Sequence, residues 1–317
     1  MSARELVVLG TSSQVPTKYR NHNGYLLRFD GVGVLFDPGE GTQRQLTLAG
    51  LSAHAIHHIC ITHFHGDHCL GLPGIIQRIS LEEVPHPVSV HYPQTGQRYF
   101  ERLRYASIYV DRARIDPAPH PVAPHQQSMG PWTLHSAPLD HNGVDATGYR
   151  LQQPDTWRMD PDALQRAGLR GRDIGELKAK GTLTRGTSTL KVEDFATRVA
   201  GPVVAFIMDT RLCDAAFALA EGADLLICES TFLDADAALA RSYGHMTAAD
   251  AARLAQECGV GRLVLTHFSQ RYPVNAPFEA EARRTHDDVV AATDLAVIPF
   301  PPPRAEPALP PAEGAPA

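Results

Sequence analysis

The stretch Ile59-Cys60-Ile61-Thr62-His63-Phe64-His65-Gly66-Asp67-His68-Cys69-Leu70-Gly71 starts as an apolar strand, turns through polar residues and opens onto a helical pattern over Leu70–Ile79. Strand ends in α/β sheets are where ligands bind. Four metal-capable side chains fall within six positions, with Gly66 available for a tight turn. On such a turn His63 and His65 can address one ion while Asp67 and His68 address a second beside it. Solvated polar residues have no packing reason to interrupt an apolar strand–helix junction so compactly, so the cluster reads as a ligand set. Tetrahedral zinc takes three or four N or O ligands, so further ligands must come from elsewhere in the chain.

Working outward, three polar residues stand immediately after apolar strand candidates. His141 follows Trp132–Ala137, Asp209 follows Val203–Met208, and His267 follows Leu263–Thr266. All three can therefore project from one sheet edge. A single histidine in such a place is more often a surface or capping residue; the turn cluster gives these three their weight. The expected arrangement gives His63, His65 and His141 to one ion, Asp67, His68 and His267 to the second, and Asp209 to both. Two zinc ions per subunit are expected, with manganese as the alternative. Coordination brings the pKa of a water near neutrality, so an activated water is the expected nucleophile of a metal-dependent hydrolase. The other histidines, such as His58, His91 and His120, lack this setting and read as ordinary.

The rest of the chain frames that site. Its 317 residues are 43% hydrophobic and 20% charged, as in a globular protein with a substantial core, but it carries 16 histidines. No segment approaches the ~18 apolar residues of a membrane span. The N-terminus runs straight into a strand pattern without the apolar core of a secretion signal, so a cytoplasmic location is expected. The five cysteines, Cys60, Cys69, Cys213, Cys228 and Cys258, form no CxxC pair and read as reduced thiols. A net charge of −6 argues against a protein that coats nucleic acid with its whole surface. The charge is uneven, however: residues 166–191 hold seven bases (Arg166, Arg170, Arg172, Lys178, Lys180, Arg185, Lys191) against two acids.

Further strand candidates lie at Leu6–Leu9, Tyr25–Phe29, Val32–Phe36, His58–Thr62, Val88–Tyr92, Leu225–Cys228 and Leu295–Pro299. Helical patterns follow at Cys213–Glu221 and at Ala248–Cys258, where Thr247 is placed as N-cap, Asp250 at N3 and Gly259 just past the end. Strands in pairs, then strands alternating with helices, predict an α/β or α+β fold. Residues 152–195 are polar, basic and punctuated by glycine, with only a weak helical pattern at Pro161–Ala167; they read as an inserted arm on a domain covering 1–300. Residues 301–317 are Pro/Ala-rich and read as a disordered tail.

At this point a resemblance enters. The HxHxDH turn with His141, Asp209 and His267 resembles the metallo-β-lactamase superfamily, which implies an αββα sandwich. Within it, several segments are similar to the ribonuclease Z family: Pro16-Thr-Lys18-Tyr-Arg20-Asn21 (PxKxRN), Phe36-Asp-Pro-Gly-Glu40-Gly-Thr-Gln43, Glu229-Ser-Thr-Phe232, Ser242-Tyr-Gly-His245-Met-Thr247 and Thr266-His267-Phe-Ser-Gln-Arg271-Tyr272. The resemblance implies a zinc-dependent endoribonuclease that removes 3′ trailers from precursor tRNA, leaving a 3′-hydroxyl on the tRNA and a 5′-phosphate on the trailer. It implies a homodimer, with Asp67 as ligand and proton acceptor, His245 as general acid and Glu229 orienting it. Lys18, Arg20 and Asn21 would meet substrate near the cut, and Arg170, Arg172, Lys178 and Lys180 of the arm would grip tRNA phosphates. The chain departs from the family pattern at Met208, at Met246 and in an arm without proline between Asp162 and Gly201. The alternative kept open is a small-molecule phosphodiesterase on the same fold that no longer acts on tRNA.

Overall fold

The computed structural model describes residues 3–302, so the tail expected over 301–317 lies outside the described residues from 303 onward. The described chain forms two compact units. The first comprises the chain up to Gln127, Leu134–Leu151 and everything from Val203 on; the second is Ser128–Thr133 with Gln152–Pro202.

Two seven-stranded sheets dominate the fold. The first runs in the order Val297–Pro299, Arg4–Gly10, Gly24–Phe29, Val32–Phe36, His58–Cys60, Val88–Pro93 and Ile115–His120. Its first four strands pair antiparallel and its last three extend parallel from Val32–Phe36. In the second the order is Val289–Ala291, Arg262–Thr266, Leu225–Glu229, Val203–Ile207, Val144–Gln152, Trp132–His141 and His125–Met129. Val203–Ile207, Leu225–Glu229 and Arg262–Thr266 pair parallel, so Asp209, Glu229 and His267 all emerge at one edge. Parallel strands are buried on both faces, which is why Val203-Val-Ala-Phe-Ile207 is apolar throughout and wholly buried. The two sheets meet through aromatic contacts: Phe36 stacks on Phe206 at 4.3 Å between centroids, and Tyr25 lies 5.5 Å from the same ring. Fully burying a side chain of that size contributes roughly 1.5–3 kcal/mol.

The helices cover the outer faces. Leu72–Leu81 buries Leu72, Ile75, Ile76 and Ile79, the i, i+3, i+4, i+7 stripe of its sequence. Ala248–Glu257 starts on the predicted capping box: Asp250 N–H donates to Thr247 Oγ1 at 3.0 Å, and Thr247 N–H donates to Asp250 Oδ2 at 3.1 Å. Thr247→Ala removes that cap and is expected to lower the unfolding free energy by about 1 kcal/mol, read from urea denaturation midpoints at unchanged m-value. No helix among the described residues is long and apolar enough to cross a membrane.

Residues 152–202 differ from the sequence reading. They fold around their own core of Leu164, Leu169, Leu177, Leu183, Val192 and Phe195, with helices Pro161–Arg166 and Arg172–Lys180 and two two-stranded sheets. Those apolar residues are too widely spaced to register as a period, and only side-chain packing collects them. Arg166, Arg170, Arg172, Lys178, Lys180, Arg185 and Lys191 stay exposed around that core.

Candidate metal centre

The HxHxDH segment is positioned by close backbone packing. His63 and His65 lie in the extended link after His58–Cys60, and Asp67 and His68 lie in the short helix Gly66–Cys69. Beneath them, a Cβ on Gly39 would come within 2.2 Å of the Asp67 carbonyl oxygen, and one on Gly71 within 2.0 Å of the Gly39 carbonyl oxygen. Only glycine permits that approach, which gives the FDPGEGTQ segment its structural meaning. Asp209 and His267 take positive φ angles of 44° and 59° as their strands break into turns. Non-glycine residues in that region cluster where a site over-determines them.

Two adjoining groups result, and a third, Asp209 with His245 and His267, shares a member with each. His63, His65, His141 and Asp209 form one, and Asp67, His68 and His267 the other; within each, one ligand atom per residue lies within 4.8 Å of the rest. Asp209 is buried and touches both, with its Oδ2 3.6 Å from His63, 3.4 Å from His68 and 3.6 Å from His141, and its Oδ1 3.1 Å from His267. The structure thus brings together all seven expected ligands.

The surroundings fix which ring nitrogens face inward. His68 Nδ1–H donates to Asp37 Oδ2 at 2.8 Å. Thr62 Oγ1–H donates to the same carboxylate, which leaves its oxygen to accept from His63 Nδ1 at 3.1 Å. His141 Nδ1–H donates to the Gly244 carbonyl at 3.2 Å. Thr231 Oγ1–H donates to Glu229 Oε2 at 2.6 Å, so its oxygen accepts from His267 Nδ1 at 2.8 Å. In all four rings Nδ1 is engaged and Nε2 faces Asp209 and its neighbours, the orientation a metal ligand needs. Inside the cluster, His267 Nε2 and Asp209 Oδ1 are buried without a hydrogen-bond partner. Burial opposes charge on His68, but Asp209, Asp67 and Asp37 outweigh it and hold the ring protonated well above its usual pKa. A divalent cation would supply that positive charge instead and free Nε2. The residues fit bound metal on donor set, ring orientation and charge.

Beside the cluster, His245 Nδ1–H donates to Glu229 Oε1 at 2.9 Å. Glu229 is fully buried and also accepts from Thr210 N–H, Thr231 Oγ1 and Met246 N–H. Asp67 accepts the Gln14 backbone N–H on Oδ2 at 2.8 Å. Burial raises its pKa, but His68 and His267 outweigh that and bring it below the usual carboxylate range.

The PxKxRN loop is only partly as expected. Lys18 is exposed, with its ammonium 5.3 Å above the Tyr19 ring. Arg20 is 6% exposed, and its guanidinium donates to the Phe268 and Tyr272 carbonyls. Asn21 Nδ2 donates to the His22 and Glu40 carbonyls. Arg20 therefore braces this loop to the His267 segment, and Asn21 braces it to the segment carrying Glu40. Arg170, Arg172, Lys178 and Lys180 belong to the second unit, where Lys180 pairs with Glu176 at 2.8 Å. Sequence reading missed Asp37, Thr62 and Thr231, which lie inside recognised motifs but announce their roles only through hydrogen bonds.

Residues 18–149 match the metallo-β-lactamase superfamily and 173–268 a β-lactamase superfamily domain. The chain is 51% identical to a ribonuclease Z of Streptomyces avermitilis, covering 95% of this chain and 99% of that protein. It is 53% identical to a ribonuclease Z of Salinispora arenicola, covering 96% and 98%. The crystal structure of human tRNase Z, short form, superposes with a TM-score of 0.67 at 26% identity, covering 94% of this chain and 99% of that one.

Proposed function

The chain belongs to the ribonuclease Z family of metallo-β-lactamase-fold proteins, and from that premise we propose that its histidine–aspartate cluster is a dinuclear zinc centre that cuts the 3′ trailer from precursor tRNA. It is a metal-dependent phosphodiester hydrolase, and its substrate is precursor tRNA. The observation that carries the reading is the set of four imidazoles with Nδ1 engaged and Nε2 turned toward a shared Asp209. His63, His65 and His141 would hold one ion, and Asp67, His68 and His267 the other. Such a pair, when bound, activates the attacking water and neutralises charge on the phosphate.

The chain's own residues do the rest. Asp67 has one carboxylate for two duties, ligation and acceptance of the water's proton. Glu229 accepts from His245 Nδ1, which leaves Nε2–H to protonate the departing O3′ as the P–O3′ bond breaks. That places the 3′-hydroxyl on the tRNA and the 5′-phosphate on the trailer. Lys18, exposed on the loop whose Gln14 contacts Asp67, is the remaining candidate for backbone charge near the cut.

Arg170, Arg172, Lys178 and Lys180 would hold tRNA phosphates through the second unit. Replacing Arg170 and Lys178 by alanine should raise KM with kcat unchanged and reduce the slope of log KM against log salt by roughly one per lost contact, measured with pre-tRNA from 50 to 200 mM salt. A cytoplasmic homodimer completes the proposal. A 3′-extended pre-tRNA transcript, incubated with and without chelator, tests it: a chelator-sensitive cut near the discriminator base is expected. Cleavage of bis(p-nitrophenyl) phosphate without cleavage of pre-tRNA would instead favour a small-molecule phosphodiesterase.

A further inference from the structure

We propose that Arg211 is a positioning residue that clamps the segment carrying His245 to the loop carrying His141, and so sets the height of the general acid above the cluster. This rests on the assignment of His245 as the acid. Arg211 lies outside the ligand set and in none of the segments that carry the family resemblance, yet its guanidinium reaches three acceptors. Nη1 donates to Asp140 Oδ1 at 3.0 Å, Nη2 to Asn142 Oδ1, and Nε to the Arg241 carbonyl at 3.1 Å.

Each end of the clamp bears on a residue that matters. Asp140 and Asn142 flank His141. Arg241 lies in the last turn of helix Ala237–Tyr243, where carbonyls lack intrahelical partners, and the chain passes from that turn through Gly244 to His245. Asn142 adds a second tie, donating from Nδ2 to the Ser242 carbonyl at 3.0 Å, and His141 a third through the Gly244 carbonyl. The two segments approach so closely that a Cβ on Gly244, whose φ is +76°, would come within 3.1 Å of Asn142 Cγ.

The guanidinium is not needed to hold its own strand end in place. The Arg211 N–H already donates to the Asp140 carbonyl at 3.0 Å, and Asp140 N–H to Thr210 Oγ1 at 3.1 Å. What the side chain adds is reach to residue 241. The Arg211 and Asp140 side chains are 32% and 53% exposed, and an ion pair so open to water stabilises a fold very little. Its effect therefore falls on geometry. Without it His245 would stay bonded to Glu229, but its segment would be held to the His141 loop only through Asn142 and His141.

The test separates acid placement from metal chemistry by leaving group. Cleavage of pre-tRNA breaks the P–O3′ bond and needs a proton delivered to O3′. Cleavage of bis(p-nitrophenyl) phosphate releases a stable nitrophenolate that needs none. Wild type, Arg211→Ala, Arg211→Lys and Asn142→Ala are compared as metal-loaded full chains on both substrates, with metal content and thermal midpoint measured alongside. Arg211→Ala should lower kcat on pre-tRNA roughly ten- to hundredfold, part of what a general acid supplies, while KM and the rate on the nitrophenyl diester stay within about twofold. Arg211→Lys should recover only part of the loss, since an ammonium cannot present the planar fork to three acceptors. Asn142→Ala should shift the same ratio in the same direction. Equal losses on both substrates, lost metal, or an unchanged pre-tRNA rate would overturn the proposal. A wild-type chain inactive on pre-tRNA would instead overturn the function on which it rests.

Discussion

Asp209→Asn should reduce pre-tRNA cleavage by about a thousandfold or more and leave the purified chain short of metal. Asp209 is within reach of both ligand groups; it is 3% exposed, and its Oδ1 has no hydrogen-bond partner. Asparagine keeps the volume and tolerates the positive φ of 44°, so the turn after Val203–Ile207 survives. It removes the negative charge, and one oxygen becomes an NH2 that repels a cation. A metal pair supplies several kcal/mol of transition-state stabilisation, and each 1.36 kcal/mol is tenfold in rate. Metal analysis with kcat on pre-tRNA checks this; full metal content with wild-type rate would remove Asp209 from the site.

His245→Ala should lower kcat on pre-tRNA by roughly 10²–10⁴, the usual contribution of a general acid, with metal content intact. Burial would lower the pKa of His245, but the Glu229 and Asp209 carboxylates overcome it and raise the value to about 9. A raised pKa keeps the ring protonated below that value and loses the proton as pH rises through it. Divalent ions nearby pull the value down from there, so wild-type kcat should fall on an alkaline limb at or below about pH 9. The variant's residual rate should lack that limb. A limb preserved in His245→Ala would assign the titration to another group.

The candidate ligands were legible because each sits at a break between an apolar strand and a polar turn, a pattern that survives without coordinates. The capping box at Thr247 and Asp250 was legible for the same reason: its geometry is local. The direction of Arg20 was not legible because PxKxRN names residue types and not directions, and only the fold turns its guanidinium onto the Phe268 and Tyr272 carbonyls. Strand Val144–Gln152 escaped notice because Asp145, Thr147, Gly148 and Arg150 interrupt its apolar residues. Residues 152–202 hid a core whose members are far apart in sequence. Asp37 and Thr231 gave no signal because orienting a ligand through a hydrogen bond leaves no periodicity.

The central claim, a two-ion centre that cuts precursor tRNA, is tested most directly by metal reconstitution. The chain is stripped with chelator and titrated with zinc, and bound metal per chain is measured together with cleavage of a 3′-extended pre-tRNA. The expected result is loss of cleavage on stripping and recovery that saturates as the second ion binds, with product ending in a 3′-hydroxyl near the discriminator base. Cleavage that persists in the stripped chain, or saturation with a single ion bound, would contradict it.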